Sequence, residues 1–432
     1  MAKNKTVTPD SFLTFIAFCV FSYYNTLSEQ GDTRPKYRLL AAGGVNVNRR
    51  TGRTLSDSNA AESQICGAKP SGPLFTEGKP VLRKSVRRTI MSFEFINKLP
   101  TPAEIKEQFP LPMECALVKA RRDEEVKKIM TGDSDRFLVI IGPCSADNED
   151  SVLDYTSRLV KLQEETKDRL LIIPRVYTNK PRTTGEGYKG MLHQPDPERL
   201  PSMVEGLHAI RRIHMRVLQE TELSTADEML YPDNVSYLDD IMSYIAVGAR
   251  SVENQQHRLV SSGCHVPIGM KNPTSGDLTV MLNSVQAAQS GHEFIMRDWE
   301  VKTTGNPWTH TILRGAVNKH GQCLPNYHYE DLILLHNLYM ERNLQNPACI
   351  IDANHSNSNK QHAEQIRIVK EVLHSRRHSH DLHSFVKGVM IESYIEPGSQ
   401  KIGEHCYGKS ITDPCLGWED SQRLVYEIAE SL

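Results

Sequence analysis

Residues 137–145 read FLVIIGPCS, an unbroken apolar run that ends in glycine, proline and cysteine. Such a run is typical of a parallel strand that is covered on both faces, because neither face then needs polar side chains. Similar runs recur along the chain and alternate with stretches whose apolar residues are spaced by three and four, as in amphipathic helices. Together they give eight predicted strands, at residues 137–145, 170–177, 222–230, 244–252, 266–272, 293–298, 348–356 and 388–394.

Eight strands alternating with helices predict an α/β fold, a (β/α)8 TIM barrel that occupies residues 137–432. Residues 299–314 have β-type side chains on both sides of a Gly-Asn-Pro turn, so we expect an inserted β-hairpin after strand six. Residues 91–136 are predicted to form an N-terminal extension before the barrel, and residues 418–432 to form the last helix.

The first ninety residues differ from the rest of the chain. Residues 1–90 contain 14 Lys and Arg against 6 Asp and Glu, and they show little apolar periodicity beyond residue 24. An apolar stretch at residues 12–24 resembles a signal peptide, but no small-residue cleavage site follows it closely. We therefore predict that residues 1–90 form a disordered or leader segment.

Composition excludes several classes of protein. The formal net charge of the 432 residues is −2, whereas a nucleic-acid-binding protein should be basic overall. No run of eighteen apolar residues is present, which argues against a membrane-spanning helix. The nine cysteines are scattered without a CxxC pair, as expected in a reducing compartment. We therefore expect a cytoplasmic enzyme without nucleic-acid or membrane partners.

Potential metal ligands lie at the ends of neighbouring strands. In a barrel the chemistry lies at the C-terminal ends of the strands, and strand eight is next to strand one. Cys144 ends strand one, His355 ends strand seven, Glu392 ends strand eight, and Asp413 lies in the following loop. A thiolate, an imidazole and two carboxylates suit a borderline divalent ion, so we predict one ion of Mn, Fe, Co or Zn.

Cationic side chains occupy the remaining strand ends. Such cations would repel one another in a single cavity unless anions filled it, and Arg and Lys are suited to bind phosphate oxygens. Six cations exceed the needs of one phosphate, so we infer two phosphorylated substrates, or one that also carries a carboxylate. The six cations are Arg175, Lys180, Arg182, Arg250, Lys271 and Arg314.

The motifs at these positions resemble those of a known enzyme family. They read IGPCS (141–145), KPRTT (180–184), GARS (248–251), DANHSNSNK (352–360) and GKSITDPCLGWED (408–420). They are similar to the type I, aldolase-like 3-deoxy-D-arabino-heptulosonate 7-phosphate (DAHP) synthases of the aromatic amino-acid-regulated class. The resemblance implies a metal-dependent transferase that condenses phosphoenolpyruvate with D-erythrose 4-phosphate. This reaction is the first step of the shikimate pathway to chorismate and the aromatic amino acids.

The resemblance also implies roles for individual residues. The implied metal ligands are Cys144, His355, Glu392 and Asp413. The implied phosphoenolpyruvate contacts are Arg175, Lys180, Arg250, Lys271 and Arg314. The implied erythrose 4-phosphate contacts are Lys180, Pro181, Arg182 and Thr183. Lys180, Cys144 and His355 are the predicted catalytic residues. Lys180 would be a proton donor or a charge-stabilising group, and we expect neighbouring cations to lower its pKa. Glu228, at the end of strand three, could activate the attacking water.

Two other functions remain open at this point. A related 3-deoxy-octulosonate 8-phosphate synthase would use arabinose 5-phosphate, and a catalytically silent barrel would act as a regulatory subunit. The KPRT and SITDPCLGWED stretches favour the DAHP reaction over the first, and the intact ligand set argues against the second. Family members are commonly inhibited by Phe, Tyr or Trp, so we expect a homodimer or homotetramer with effector sites that involve residues 91–136 and 299–314.

Overall fold

Eight parallel strands form a closed barrel in the part of the chain that the computed structural model describes, residues 89–90, 92–182 and 184–432. Each strand pairs with its neighbour in sequence, β8 pairs with β1, and a bridge between Arg175 and Ala226 joins β2 to β3. The predicted (β/α)8 barrel is therefore confirmed. The strands are β1 (Phe137–Gly142), β2 (Leu170–Pro174), β3 (Thr225–Glu228), β4 (Met242–Val247), β5 (Ile268–Lys271), β6 (His310–Leu313), β7 (Cys349–Asp352) and β8 (Val386–Glu392).

Helices connect these strands and surround the barrel. Side chains cap several of them, as when Oδ1 of Asn148 accepts a hydrogen bond from the backbone N–H of Ser151, at 2.9 Å. The last helix, Trp418–Ser431, lies within the predicted range 418–432. The α-helices are Pro102–Gln108, Met113–Thr131, Glu149–Thr166, Met203–Thr221, Val235–Leu238, Gln255–Ser261, Leu278–Gln289, Tyr329–Glu341, Glu364–His378, His380–Phe385 and Trp418–Ser431.

The apolar runs are buried on both faces, as their composition predicted. Along β1, Leu138 and Ile140 belong to the cluster inside the barrel, whereas Val139 and Ile141 belong to the cluster under the helices. Each fully buried side chain of this size contributes about 1.5–3 kcal/mol, so the strands form a stable support for the residues at their ends.

The helix Met113–Thr131 packs at the end of the barrel where the strands begin. Its residues Val126 and Ile129 share the interior cluster with Leu138. At the same end, the hydroxyl of Ser243 in β4 donates a hydrogen bond of 2.5 Å to Asp123 of this helix. The opposite end of the barrel, where the strands finish, remains available for a functional site.

The prediction for strand six was wrong. Glu293–Met296, predicted as a barrel strand, pairs antiparallel with Trp299–Lys302. The true β6 lies within the predicted hairpin of residues 299–314. The long hairpin therefore precedes β6, and only a short one, formed by Ala316–Val317 and Cys323–Leu324, follows it. The reason is that the polar start of β6 does not look like a buried strand in the sequence, although all four of its residues are buried.

Most of the predicted leader segment lies outside the described residues. Of residues 1–90 only Thr89–Ile90 is described, and it pairs antiparallel with Phe93–Glu94. None of the helices in the described ranges has the length and apolar character needed to cross a bilayer.

Candidate active site and metal centre

Four potential metal ligands meet at the C-terminal end of the barrel. Cys144 follows β1 by two residues, Glu392 ends β8, and Asp413 lies in the loop before the last helix. The ligand atoms of these three residues all lie within 4.8 Å of one another. His355 follows β7 by three residues, and its Nε2 lies 3.8 Å from Oε1 of Glu392. Residues 144, 355, 392 and 413, far apart in sequence, thus lie together at one end of the barrel.

The chemistry of this group fits a divalent cation. Burial raises the pKa of Glu392, but the neighbouring positive charges, chiefly that of Arg175, together lower it by more, so that the net pKa is below its ordinary value. The pKa of Asp413 is also lowered, because Lys180 outweighs the effect of burial. Both carboxylates are therefore ionised near neutral pH. Two anionic oxygens beside a thiol and an imidazole form a donor set that Mn, Fe, Co or Zn accepts.

A carboxylate lies directly behind the imidazole of His355. His355 has a φ of +48°, a left-handed conformation that non-glycine residues rarely adopt and that clusters at functional sites. Its Nδ1 lies 2.8 Å from Oδ2 of Asp352, and this oxygen also lies 3.0 Å from Nζ of Lys271. Burial lowers the pKa of His355 below its ordinary value, so the ring is neutral and can bind a metal through Nε2. Sequence reasoning missed Asp352, although it begins the same DANH motif.

Lys180 lies against two of the potential ligands. Its Nζ is 2.8 Å from Sγ of Cys144 and 2.9 Å from Oδ2 of Asp413. Burial lowers the pKa of Lys180, but Cys144 and Asp413 raise it well above its ordinary value. The prediction of a lowered pKa was therefore wrong, because the nearest charged group is the carboxylate of Asp413 rather than a cation. Lys360, which sequence reasoning also missed, lies 2.8 Å from the other oxygen of Asp413.

Two of the predicted cations are paired with buried carboxylates. Nη2 of Arg175 donates a hydrogen bond of 2.8 Å to Glu392, and its guanidinium lies 3.8 Å from the ring centre of Tyr177. Lys271 forms its ion pair with Asp352. The expected mutual repulsion of all six cations is therefore partly offset within the protein. Nη1 of Arg175 is buried and has no hydrogen-bond partner among the described residues, so it is a free donor for a ligand.

Two further arginines form no ion pair within the described ranges. Arg314 is only 9% exposed, and its single side-chain hydrogen bond in these ranges, 3.1 Å long, goes to the hydroxyl of Ser356. Burial lowers the pKa of Arg314; the charge of Asp352 partly offsets this effect, and the charge of Arg250 adds to it. Two guanidinium groups that form no ion pair and lie close enough to influence each other favour an anionic ligand.

The remaining predicted substrate contacts follow β2 or end β3 in the sequence. Pro181 and Arg182 are half-buried, and Nε of Arg182 donates a hydrogen bond of 2.8 Å to the carbonyl of Tyr188. Thr183 lies outside the described residues. Glu228 ends β3, and a Cβ atom at Gly248 would lie 2.0 Å from its Oε1. The glycine of the GARS motif therefore leaves the space that the Glu228 carboxylate occupies.

Comparison with known proteins identifies the family. The sequence pattern of the DAHP synthetase I family matches residues 101–426. The chain is 34% identical to the Trp-sensitive phospho-2-dehydro-3-deoxyheptonate aldolase of Escherichia coli K12, over 78% of this chain and 96% of the relative. It is 36% identical to the Phe-sensitive enzyme of the same organism, over 78% of this chain and 95% of the relative.

A solved structure agrees with this result. The phospho-2-dehydro-3-deoxyheptonate aldolase from Francisella tularensis SCHU S4 superposes with a TM-score of 0.73 and 30% identity, covering 78% of this chain and 97% of that one. The sequence match, the relatives and the fold all agree. The chain therefore belongs to the DAHP synthetase I family.

Proposed function

We propose that the pocket at the C-terminal end of the barrel is where phosphoenolpyruvate condenses with D-erythrose 4-phosphate. As a member of its family the protein is a 3-deoxy-7-phosphoheptulonate synthase, a transferase that makes DAHP and phosphate in the first step of the shikimate pathway. One observation carries the proposal: a largely buried group of potential metal ligands lies in the same barrel mouth as two arginines that form no ion pair within the described residues.

The unpaired cations are suited to phosphoenolpyruvate, which carries a phosphate and a carboxylate. Arg250 and Arg314 would bind the phosphate, since neither forms an ion pair with a carboxylate of the described residues. Arg175 offers a free, buried Nη1 and Lys271 a buried ammonium for the carboxylate. Each charge-assisted hydrogen bond of this kind contributes about 1.5–3 kcal/mol.

The KPRT stretch would receive erythrose 4-phosphate. Lys180, Pro181, Arg182 and Thr183 follow β2, so a phosphate at Arg182 would direct the aldehyde towards Lys180. The double-bond electrons of phosphoenolpyruvate form a bond from carbon 3 to the aldehyde carbon, so that the aldehyde oxygen takes the electrons of its C=O bond and carbon 2 becomes electron-deficient. Water adds to carbon 2 and loses one proton to a base, for which Glu228 is our assignment, and the aldehyde oxygen takes up one proton. The bond from carbon 2 to the phosphate oxygen then breaks, phosphate leaves with that electron pair and with the remaining hydroxyl proton, and carbon 2 becomes the ketone of the product.

Lys180 contributes its charge to this reaction. Because the pKa of Lys180 is raised, the side chain is an ammonium at neutral pH and can donate a hydrogen bond, but it cannot act as a base. It therefore suits the stabilisation of negative charge on the aldehyde oxygen. Holding both substrates in one pocket also removes much of the entropy cost of a two-substrate step.

Four residues would hold a divalent ion at this site: Cys144, His355, Glu392 and Asp413. Of Mn, Fe, Co and Zn, the donor set excludes none. When bound, the ion would supply a Lewis acid for the aldehyde oxygen. Asp352 keeps the Nε2 of His355 directed at the site, and Arg175 keeps Glu392 ionised.

Phosphate release with each aldose phosphate tests the reaction and its alternatives. We expect release with phosphoenolpyruvate and erythrose 4-phosphate, and little with arabinose 5-phosphate, which the octulosonate reaction would need. C144A and H355A should lose about a thousand-fold in kcat after dialysis against a chelator and re-addition of metal. Near-normal turnover of both variants would contradict the metal site, and no release with either aldose would favour a silent barrel.

Regulation by an aromatic amino acid is a further part of the proposal. The relatives above are described as Trp-sensitive and Phe-sensitive. We assign the effector site to residues 91–136 together with the region 299–314, as the sequence suggested. Inhibition assays with Phe, Tyr and Trp test this, and insensitivity to all three would contradict it.

Exposed apolar side chains support a homodimer or homotetramer. Ile96 of the N-terminal extension is 83% exposed, and Ile295 and Trp299 of the long hairpin are 75% and 74% exposed. Large apolar groups at this exposure favour association with another copy of the chain. Light scattering on the full chain tests the assembly, and a monomer at micromolar concentration would contradict it. We place the enzyme in the cytoplasm, where its cysteines remain reduced.

A further inference from the structure

The side chain of Asn354 is fully buried between three segments of the proposed metal site. Its Nδ2 donates hydrogen bonds to Oε2 of Glu392, at 2.5 Å, and to the carbonyl of Pro414, at 3.4 Å. Asn354 is also the residue before His355, and Pro414 is the residue after Asp413. One carboxamide therefore connects the segments that carry three of the four proposed ligands.

We infer that Asn354 is a positioning residue that orients the Glu392 carboxylate and so determines how tightly the site binds its metal ion. The inference rests on the proposed function, because it assumes that Glu392 is a ligand. Asn354 itself is not needed as a ligand, because both polar atoms of its side chain have partners. Its nitrogen donates to Glu392, and its Oδ1 accepts a hydrogen bond of 2.7 Å from the hydroxyl of Ser358.

Asn354 holds the part of Glu392 that no other contact fixes. Gln365 fixes the backbone, since its Oε1 accepts from the N–H of Glu392 at 2.8 Å and its Nε2 donates to the carbonyl at 2.9 Å. Arg175 binds Oε1, the oxygen that faces His355. Among the described residues only Asn354 donates to Oε2. Without it, the carboxylate could rotate about its last bond.

The orientation of the carboxamide is itself determined. The hydroxyl of Ser358 can donate to the amide oxygen, and the carboxylate of Glu392 can only accept, so the nitrogen must face Glu392. Both Asn354 and Glu392 are 0% exposed, so bulk water cannot replace the lost hydrogen bond. Removing the carboxamide should therefore weaken the binding of the metal ion.

The metal dissociation constant tests this inference without relying on activity. Competition between the full-length protein and a chromogenic chelator for Zn²⁺ or Co²⁺ should show that N354A binds the ion about 10–100-fold more weakly than wild type. At saturating metal the KM for phosphoenolpyruvate should change less than about threefold, because no hydrogen bond within the described ranges joins Asn354 to Arg250 or Arg314.

N306A is the matched control. Asn306 is also a fully buried asparagine, and its Nδ2 donates to the carbonyl of Val266, at 2.9 Å, near the start of β5. Its loss should leave the metal dissociation constant unchanged. S358A provides a second variant should N354A not fold: it removes the hydroxyl that orients the carboxamide, so metal binding should weaken in the same direction but less.

C144A separates failure of the inference from failure of the proposed function. If C144A loses the metal while N354A and S358A bind it like wild type, the positioning role of Asn354 is overturned and the metal site stands. If C144A also binds the metal like wild type, the proposed site itself is wrong. Equal weakening in N354A and N306A would show a general effect of a buried cavity and would likewise overturn the inference.

Discussion

Replacing Arg314 with methionine should weaken phosphoenolpyruvate binding without destabilising the free protein. Most buried cations lower the stability of a protein when they are removed, because their partner is left unpaired. Arg314 forms no ion pair within the described ranges, and burial lowers its pKa, with the charge of Asp352 acting against this effect and the charge of Arg250 adding to it. Its charge is thus less favourable in the free protein than when an anion is bound.

The two effects can be given magnitudes. The R314M variant loses the hydrogen bond to Ser356, about 1 kcal/mol, but it also removes the cost of burying an unpaired charge. The net change in the free energy of unfolding should stay within about 1 kcal/mol. The loss of one or two charge-assisted hydrogen bonds to phosphate, about 1.5–3 kcal/mol each, should raise the KM for phosphoenolpyruvate at least about tenfold.

Urea unfolding and steady-state kinetics measure the two effects, with R211M as the control. Arg211 is fully buried, donates hydrogen bonds of 2.8 and 2.9 Å to Asp240, and also donates to two carbonyls. R211M should lose about 3 kcal/mol of stability and keep its KM, the reverse of R314M. If R314M loses as much stability as R211M and keeps its KM, the assignment of Arg314 to substrate binding is refuted.

Three further changes test other parts of the site. Burial raises the pKa of Asp147 to about 6, so its contribution to stability is present below about pH 4 and is lost as the pH rises through 6. In urea unfolding, the free energy of unfolding of D147N relative to that of wild type should therefore rise by about 2 kcal/mol as the pH increases from about 4 to about 7. Plots of this free energy against pH that run parallel for the two proteins would contradict this. G248A should lower kcat but leave the metal dissociation constant unchanged, because the added Cβ displaces the Glu228 carboxylate; an unchanged kcat would remove Glu228 from the chemistry. The carboxylate of Asp227 accepts from both the N–H and the hydroxyl of Thr178, and D227N leaves one donor unpaired, so it should lose about 1–3 kcal/mol in thermal unfolding and raise the KM for erythrose 4-phosphate. A D227N variant with the KM and the stability of wild type would contradict this role of Asp227.

The barrel could be predicted because most of its strands appear in the sequence as apolar runs. Parallel strands covered on both faces must be apolar throughout, and β1 is the clearest case. β6 was missed because it begins with His310 and Thr311. These polar residues are tolerated inside the barrel because they have partners there: Nε2 of His310 lies 2.8 Å from the hydroxyl of Tyr244, and the hydroxyl of Thr311 donates to the carbonyl of Ala348 at 3.0 Å.

The site was less predictable than the fold. Strand order brings Cys144 and Glu392 together in any barrel of this kind, so their proximity could be expected from sequence. The pKa of Lys180 could not, because it depends on which charged groups lie nearest in space. Asp352 and Asn354 were missed for a similar reason: each acts through a neighbour, His355 or Glu392, and residue type alone does not indicate such a role.

A crystal structure with Mn²⁺ and phosphoenolpyruvate, with anomalous data to locate the metal, tests the central claim most directly. We predict one anomalous peak bound by Cys144, His355, Glu392 and Asp413, with the phosphate of the substrate on Arg250 and Arg314. A metal peak away from these four side chains, or a phosphate bound elsewhere than at these two arginines, would contradict the claim.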